Sequence, residues 1–204
     1  MTESLYSHRS NFVLGFHGCD KSVVDKVVSG TEELHFSRND YDWLGNGVYF
    51  WENNESRALQ WAKAMSKRQG SKIKCPSVIG AIIDLGLCLD LTDSSCLAEL
   101  RVGYDALVEM CKLSNIDLPQ NSGKSKDKLI RKLDCAVIQT VHELRKGSGL
   151  TPYDSVKGVF WEGGELYPGS GFSNKNHIQI CICNPNCIKG FFIPKRKNTK
   201  FTNP

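Results

Sequence analysis

Phe16-His17-Gly18 and Gly47-Val48-Tyr49-Phe50 are the two stretches that decide how this sequence is interpreted. Each joins a short apolar run to a ring-bearing residue, and apolar runs bounded by Gly, Asp or Asn predict β-strands. His17 offers ring nitrogens, Tyr49 offers a flat ring, and glycine lets a ligand approach the backbone closely. Alone, each stretch is typical of a structural turn. Because both occur in one chain, joined by a helical segment, we interpret them together as functional rather than structural.

A third stretch of interest lies near the end of the chain, at His177-Ile178-Gln179. Side chains alternate along a strand, so His177 and Gln179 are expected on one face. The preceding segment, 162–176, is rich in glycine and is predicted to be a loop. We therefore expect this loop to present polar groups beside the strand.

The order of predicted elements indicates the α+β class. Strands are expected at both ends of the chain, and the two longest helices in its middle. Asp20, Asn53 or Asn54, and Asp93 are the side chains that would cap helices. The second long helix is expected over 127–146, with Leu129 and Leu133 facing inward. The length of 204 residues predicts one domain, 1–204, into which a helical segment of about 93–146 is inserted.

Composition indicates in which cellular compartment the protein is expected. Nine cysteines, an odd number without regular spacing, argue against a secreted disulfide framework. The segment 1–11 is polar, and the longest apolar run, 78–91, is interrupted by Gly and Asp. We therefore expect a soluble cytoplasmic protein that does not interact with membranes.

The net charge of +4 is a mild bias, concentrated in 124–132 and in the tail 189–200. Either cluster serves solubility or attracts a polyanion. The second interpretation slightly favours a nucleic acid over a protein as the macromolecular partner. Aromatic residues are not interleaved with these clusters, which argues against a plain nucleic-acid-binding module.

With these motifs in place, the sequence resembles the ADP-ribosyltransferase superfamily, in its histidine–tyrosine–glutamate branch of poly(ADP-ribose) polymerases and diphtheria toxin. His17-Gly18 matches the first motif and Gly47-Val48-Tyr49-Phe50 the second. The third motif, a Glu that opens a strand, aligns with Gln179. The resemblance implies a split β-sheet core with flanking helices and NAD⁺ as substrate, without a metal. The segment 93–146 is the part it matches least.

The resemblance also implies residue roles. His17 would hydrogen-bond the adenosine ribose, and the Gly18 backbone would hold the nicotinamide amide. Tyr49 would stack on the nicotinamide ring, Gln179 would contact the nicotinamide ribose, and the loop 162–176 would face the acceptor. The other expected NAD⁺ contacts are Phe16, Gly47, Phe50 and Ser56, with Arg38 and Asn39 near a phosphate.

Glutamine at position 179 departs from the family pattern, because an amide cannot act as a general base. The departure favours transfer of a single ADP-ribose over chain synthesis, with His177, Glu162 or Glu165 as base. By analogy with small bacterial transferases, we expect a toxin or phage-defence effector with an antitoxin as a further partner. Two alternatives remain open: a sensor that binds NAD⁺ or ADP-ribose, and an NAD⁺ glycohydrolase.

Cys181, Cys183 and Cys187 raise the question of a metal site. Their spacing lacks a second paired cluster, which zinc sites usually have. We interpret them as small apolar residues of a buried strand, and we expect no metal.

Overall fold

Residues 12–123 and 128–202 are described by a computed structural model, and they form a mixed sheet with helices on both faces. The elements are β1 Phe12–Asp20, α1 Lys21–Val28, β2 Val48–Glu52, α2 Glu55–Ser66, β3 Pro76–Asp84, β4 Cys88–Asp90, α3 Ser94–Leu113, β5 Asn121–Ser122, β6 Ile130–Arg131, α4 Lys132–Gly147, β7 Ser155–Phe160, β8 His177–Ile182 and β9 Ile188–Phe192. Strands at both ends and long helices in the middle confirm the predicted α+β class.

Seven strands make the main sheet, in the order β4-β7-β8-β2-β1-β3-β9. Only the β4–β7 pair is parallel, and the other neighbours are antiparallel. The short strands β5 and β6 pair with each other, in the segment that connects α3 to α4. The expected central helical segment is therefore two helices separated by a small hairpin.

The middle of the sheet is weakly joined. β1 pairs with β3 at nine consecutive positions, whereas it pairs with β2 only at Gly15–Glu52 and Phe16–Trp51. Beyond these pairs, the imidazole Nδ1 of His17 lies 2.8 Å from the backbone oxygen of Tyr49. A side-chain hydrogen bond thus spans the place where a backbone ladder between β1 and β2 would continue.

Each face of the sheet buries its own apolar residues. On one face, Val24 and Val27 of α1 pack on a cluster that includes Phe50 and Ile79. On the other face, α2 covers Trp51 through Ala58, and Ile138 and Val141 of α4 pack on β7 and β8. The second face, which α2, α3 and α4 cover in part, also carries His177 and Gln179, because Gln179 pairs with Trp51.

Three helix starts follow the predicted capping chemistry. Asp20, Asn54 and Asp93 are N-cap residues, and each side chain accepts a backbone N–H from the first turn.

The predicted start of α4 is wrong. The helix begins at Lys132 because the side-chain oxygen of Asn121 accepts the N–H groups of Leu133 and Asp134. Leu129 lies before the helix and is half exposed, and Asp127 falls outside the described residues.

Between α1 and β2, Ser37 and Gly47 form one isolated antiparallel β-bridge. Across the described ranges, no helix combines the length and the apolar character needed to cross a bilayer.

Candidate functional site

Four buried polar atoms on the second face of the sheet have no hydrogen-bond partner among the described residues. They are Trp51 Nε1, Arg57 Nε, Asn176 Oδ1 and His177 Nε2. Trp51, Arg57 and His177 are only 5–7% exposed. A buried polar atom without a partner costs roughly 1–3 kcal/mol, so several of them near one another mark a place where water molecules or a ligand complete the hydrogen bonds. We call these four residues the recess.

Three elements bring the recess together. Trp51 comes from the end of β2, His177 from the start of β8, and Arg57 from the first turn of α2. The ring centroids of Trp51 and His177 are 6.0 Å apart, and the guanidinium carbon of Arg57 lies 5.7 Å from the Trp51 ring. Phe160 closes another side, 5.4 Å from the His177 ring. Unpaired polar atoms of Trp51, Arg57 and His177 thus lie among aromatic rings.

Arg57 is a cation in an unfavourable place, since the first turn of a helix carries a partial positive charge. Its Nη2 forms an ion pair of 2.5 Å with Glu162, whose side chain is 16% exposed. Lys175 lies 3.9 Å from the same carboxylate. The pair fixes the base of the 162–176 loop against α2, beside the recess.

The protonation of His177 follows from its contacts. Its Nδ1 lies 2.7 Å from the carbonyl oxygen of Lys175, which can only accept, so Nδ1 carries the proton. Burial lowers the pKa of His177, and the nearby Arg57 charge lowers it further. The imidazole is therefore neutral at pH 7, and Nε2 presents an unpaired acceptor to the recess.

Gln179 lies on the same face as His177, as predicted. Its Oε1 accepts a hydrogen bond of 2.6 Å from the indole Nε1 of Trp43. The Trp43 ring also packs 4.8 Å from that of Phe160. Gln179 therefore positions the rings of Trp43 and Phe160 next to the recess. Its amide nitrogen is the group left to contact a ligand.

Tyr49 is largely enclosed by its own loop. Its hydroxyl donates to the Gly45 carbonyl oxygen at 2.8 Å and accepts from the Leu44 N–H at 3.1 Å. Burial raises the pKa of Tyr49 well above its usual value. The ring packs against the Leu44 and Cys181 cluster, so the structure does not bring it into contact with His177.

His17 and Gly18 are placed apart by the alternation of β1. His17 packs edge-on against Phe50, 6.0 Å between centroids, on the face that α1 covers. Gly18 faces α2, where a Cβ would collide with the Ala58 carbonyl oxygen. The close approach that we predicted for Gly18 is thus made by a helix, and His17 and Tyr49 project from opposite faces.

The remaining predicted contacts are distributed around the molecule. Phe16 packs edge-on against Phe192, and Ser56 and Asn39 are exposed. Arg38 is exposed and lies over the Phe36 ring. The other such residues are Phe50, which is fully buried in the core rather than open to a ligand, Gly47, packed against Cys181 and Ile182, and Glu165, which accepts the Gly169 N–H.

The prediction that Cys181, Cys183 and Cys187 belong to one buried strand is wrong for two of them, because only Cys181 lies in β8. Cys181 is fully buried and contacts the Gly45 carbonyl oxygen. Cys183 lies 3.9 Å from His142 Nε2, and hydrogen bonds lower its pKa to about 6. Within 12–123 and 128–202, His, Cys, Asp and Glu form no group of three that could hold a metal ion.

Three residues of the recess were missed by sequence reasoning: Trp51, Arg57 and Asn176. For Arg57 a signal existed, since a cation three residues after the Asn54 cap opposes the helix dipole. For Trp51 and Asn176 no local signal distinguishes them from core or loop residues.

Comparison with known proteins gives one distant relative. An uncharacterized protein of Methanocaldococcus jannaschii is 25% identical over 193 aligned residues, which cover 85% of this chain and 83% of the relative. No protein-family model matches the chain, and no solved structure matches it.

Proposed function

We propose that this protein is an NAD⁺-dependent mono-ADP-ribosyltransferase that acts on an acceptor inside the cell, with nucleic acid slightly favoured over protein. The observation that carries the proposal is the recess, where unpaired donors and acceptors lie among aromatic rings. The sequence resemblance, on His17-Gly18 and on Gly47 to Phe50, supports the same reaction.

The hydrogen-bonding pattern of the recess complements a primary carboxamide. Trp51 Nε1 and Arg57 Nε are donors, which suit the carbonyl oxygen of nicotinamide. Asn176 Oδ1 and His177 Nε2 are acceptors, which suit its NH₂ group. The flat pyridinium ring fits beside Trp51 and Phe160. A site built in this way binds nicotinamide and discriminates against ligands without the amide.

The narrow join between β1 and β2 is a second support. Two residue pairs connect these strands, and the resemblance implies a split β-sheet core. The expected roles of His17, Gly18 and Tyr49 in holding NAD⁺ stay predictions, since their contacts are also explained by packing.

The proposed reaction breaks the bond between the ribose C1′ and the nicotinamide nitrogen. The electron pair stays on that nitrogen, so nicotinamide leaves as a neutral molecule and positive charge develops on the ribose. An acceptor oxygen or nitrogen then bonds to C1′ and loses its proton. Glu162 is the carboxylate beside the recess. Its Oε2 pairs with Arg57, so its Oε1 is the atom that stabilises the ribose charge and takes this proton.

The test uses NAD⁺ labelled in its adenylate phosphate, incubated with the protein and an extract of growing cells. Label in a macromolecular fraction, together with released nicotinamide, supports the proposal. Sensitivity of the label to RNase, DNase or protease identifies the acceptor. Leu113→Ala, at an 87% exposed position on α3, is the matched control for variants of the recess. Absence of both transfer and nicotinamide release contradicts the proposal.

A sensor that binds NAD⁺ without consuming it is the second candidate. Gln179 offers no carboxylate, and the carboxylate of Glu162 is engaged by Arg57. Calorimetric binding of NAD⁺ without nicotinamide release would favour the sensor. Nicotinamide release without labelled macromolecules would instead favour a glycohydrolase, with water as acceptor. A toxin or defence role is tested by expressing the protein and recording growth arrest.

A further inference from the structure

A cavity of about 420 Å³ opens between α3 and α4. Its wall residue Trp43 donates a hydrogen bond to Gln179, whereas His17, Gly18 and Tyr49 do not line it. Its volume is in the range of about 300–1,000 Å³ that is typical of small-molecule sites. The walls are mainly aliphatic, from Leu91, Leu97, Leu100, Val137 and Ile138, with Trp43 and Tyr104 as aromatic members. Such walls suit a flat, weakly polar ring system.

The cavity shares a wall with the recess. Trp43 lines the cavity, and its ring packs on Phe160, which in turn packs on His177. Arg131 is another cavity residue. Its guanidinium carbon lies over the rings of Phe160 and Trp43, 4.8 Å from the Phe160 centroid and 5.8 Å from the Trp43 centroid. A positive charge therefore lies at the boundary between the two sites.

The polar groups of the cavity suit a purine. Asp134 accepts from Asn121 at 2.8 Å and from Arg131 at 3.1 Å. A carboxylate has roughly four lone-pair positions, so it can accept from an exocyclic amine as well. Arg101 adds a further cation on α3, paired with Asp105.

We infer that the cavity between α3 and α4 binds the adenosine end of NAD⁺, with the diphosphate crossing Arg131 toward the recess. This inference rests on the proposed function. It gives the helical segment 93–146 a role in binding the dinucleotide. It also differs from the assignment of the adenosine ribose to His17, whose ring packs on the opposite face of the sheet.

The test compares Leu97→Trp with Leu113→Trp. Leu97 lines the cavity and is 48% exposed, so a larger ring can fill the cavity without entering the core. Leu113 is on the same helix, outside the cavity, and 87% exposed. Thermal unfolding of both variants checks that the fold is retained. Calorimetry then gives the affinities for adenosine monophosphate, nicotinamide mononucleotide and NAD⁺.

Leu97→Trp is expected to weaken the binding of adenosine monophosphate and of NAD⁺ at least about tenfold. The affinity for nicotinamide mononucleotide is expected to stay within about twofold of the wild-type value. Leu113→Trp is expected to change none of the three affinities. A second variant, Tyr104→Ala, removes one aromatic wall and is expected to weaken the same two ligands.

Two results would overturn the inference while leaving the proposed function intact. The first is an NAD⁺ affinity that is no lower in Leu97→Trp than in Leu113→Trp. The other is wild-type binding of NAD⁺ without binding of adenosine monophosphate. Conversely, binding of adenosine monophosphate at this cavity without NAD⁺ turnover would support the adenosine site and contradict the proposed transferase activity. No binding of any of the three ligands contradicts both.

Discussion

The imidazole Nδ1 of His177 lies 2.7 Å from the carbonyl oxygen of Lys175, and this contact leaves Nε2 as a bare acceptor inside the recess. His177→Phe keeps a flat ring between Trp51 and Phe160 but removes that acceptor. We expect nicotinamide affinity to fall about tenfold, which is the value of one hydrogen bond of roughly 1.4 kcal/mol. Calorimetry with nicotinamide measures the change.

The same variant loses the Lys175 hydrogen bond but also removes an unsatisfied buried atom, so we expect a melting temperature within a few degrees of the wild type. Leu113→Ala is the control for both measurements. A folded His177→Phe protein with unchanged nicotinamide affinity would contradict the role of Nε2.

Nicotinamide binding should weaken in acid. Burial lowers the pKa of His177 below its usual 6.5, so the ring is neutral at pH 7 and gains a proton only at lower pH. The protonated Nε2 is a donor and no longer accepts from the amide. Affinity is therefore expected to be constant above pH 6.5 and to fall below it, in calorimetry between pH 5 and pH 8. This pH dependence of the affinity should be absent in His177→Phe. A nicotinamide affinity that rises in acid would contradict the prediction.

Gln179→Glu tests the departure from the family pattern. A carboxylate accepts the Trp43 Nε1–H as the amide oxygen does, so the fold should be kept. If this side chain reaches the ribose, its negative charge stabilises the developing cation, and nicotinamide release should rise by tenfold or more, roughly the effect of 1.4 kcal/mol on a barrier. Rates are measured by chromatographic detection of nicotinamide, with Gln179→Leu as the uncharged control. An equal or lower rate in the glutamate variant argues against a ribose contact at position 179.

Gly18→Ala separates packing from ligand binding at β1. An added Cβ would collide with the Ala58 carbonyl oxygen, so α2 must shift at a cost of about 1–3 kcal/mol. We expect the melting temperature to fall by several degrees, at about 2–4 °C per kcal/mol for a chain of this size. Gly147→Ala, where an added Cβ meets no atom within 4 Å, is the control. Equal melting temperatures for the two variants would show that the helix contact is unimportant.

Asp20 makes stability depend on pH. Its carboxylate accepts the N–H groups of Ser22, Lys74 and Cys75, and these bonds, with Cys75 the largest effect, hold its pKa well below the usual range. A depressed pKa gives stability that is present above the unfolded value of about 3.9 and is lost as the pH falls below it. Urea unfolding between about pH 2 and pH 7 should therefore show a decline in acid that is shallower in Asp20→Asn. Parallel curves for the two proteins would contradict this.

Local chemistry was predictable from the sequence, and long-range contacts were not. The caps at Asp20, Asn54 and Asp93 depend on neighbouring residues, and the sequence indicates them directly. The start of α4 was misplaced because its capping group, Asn121, belongs to the preceding hairpin.

In the recess, too, local relations were predictable from the sequence and long-range contacts were not. Gln179 was expected on one face with His177, since alternation fixes that relation. Its partner Trp43 is 136 positions away in the chain, and the partner of Arg57, Glu162, is 105 positions away. Both contacts exist because β2 pairs with β8, and no local pattern records that pairing.

The most direct measurement is the release of nicotinamide from NAD⁺ in the presence of cell extract, compared with release of nicotinic acid from nicotinic acid adenine dinucleotide. The carboxylate of the second compound has no N–H for His177 Nε2 or Asn176 Oδ1. The proposal predicts turnover of NAD⁺ with transfer of ADP-ribose, and turnover of the acid analogue slower by roughly a hundredfold or more. Equal turnover of the two compounds, or no release of nicotinamide at all, would contradict it.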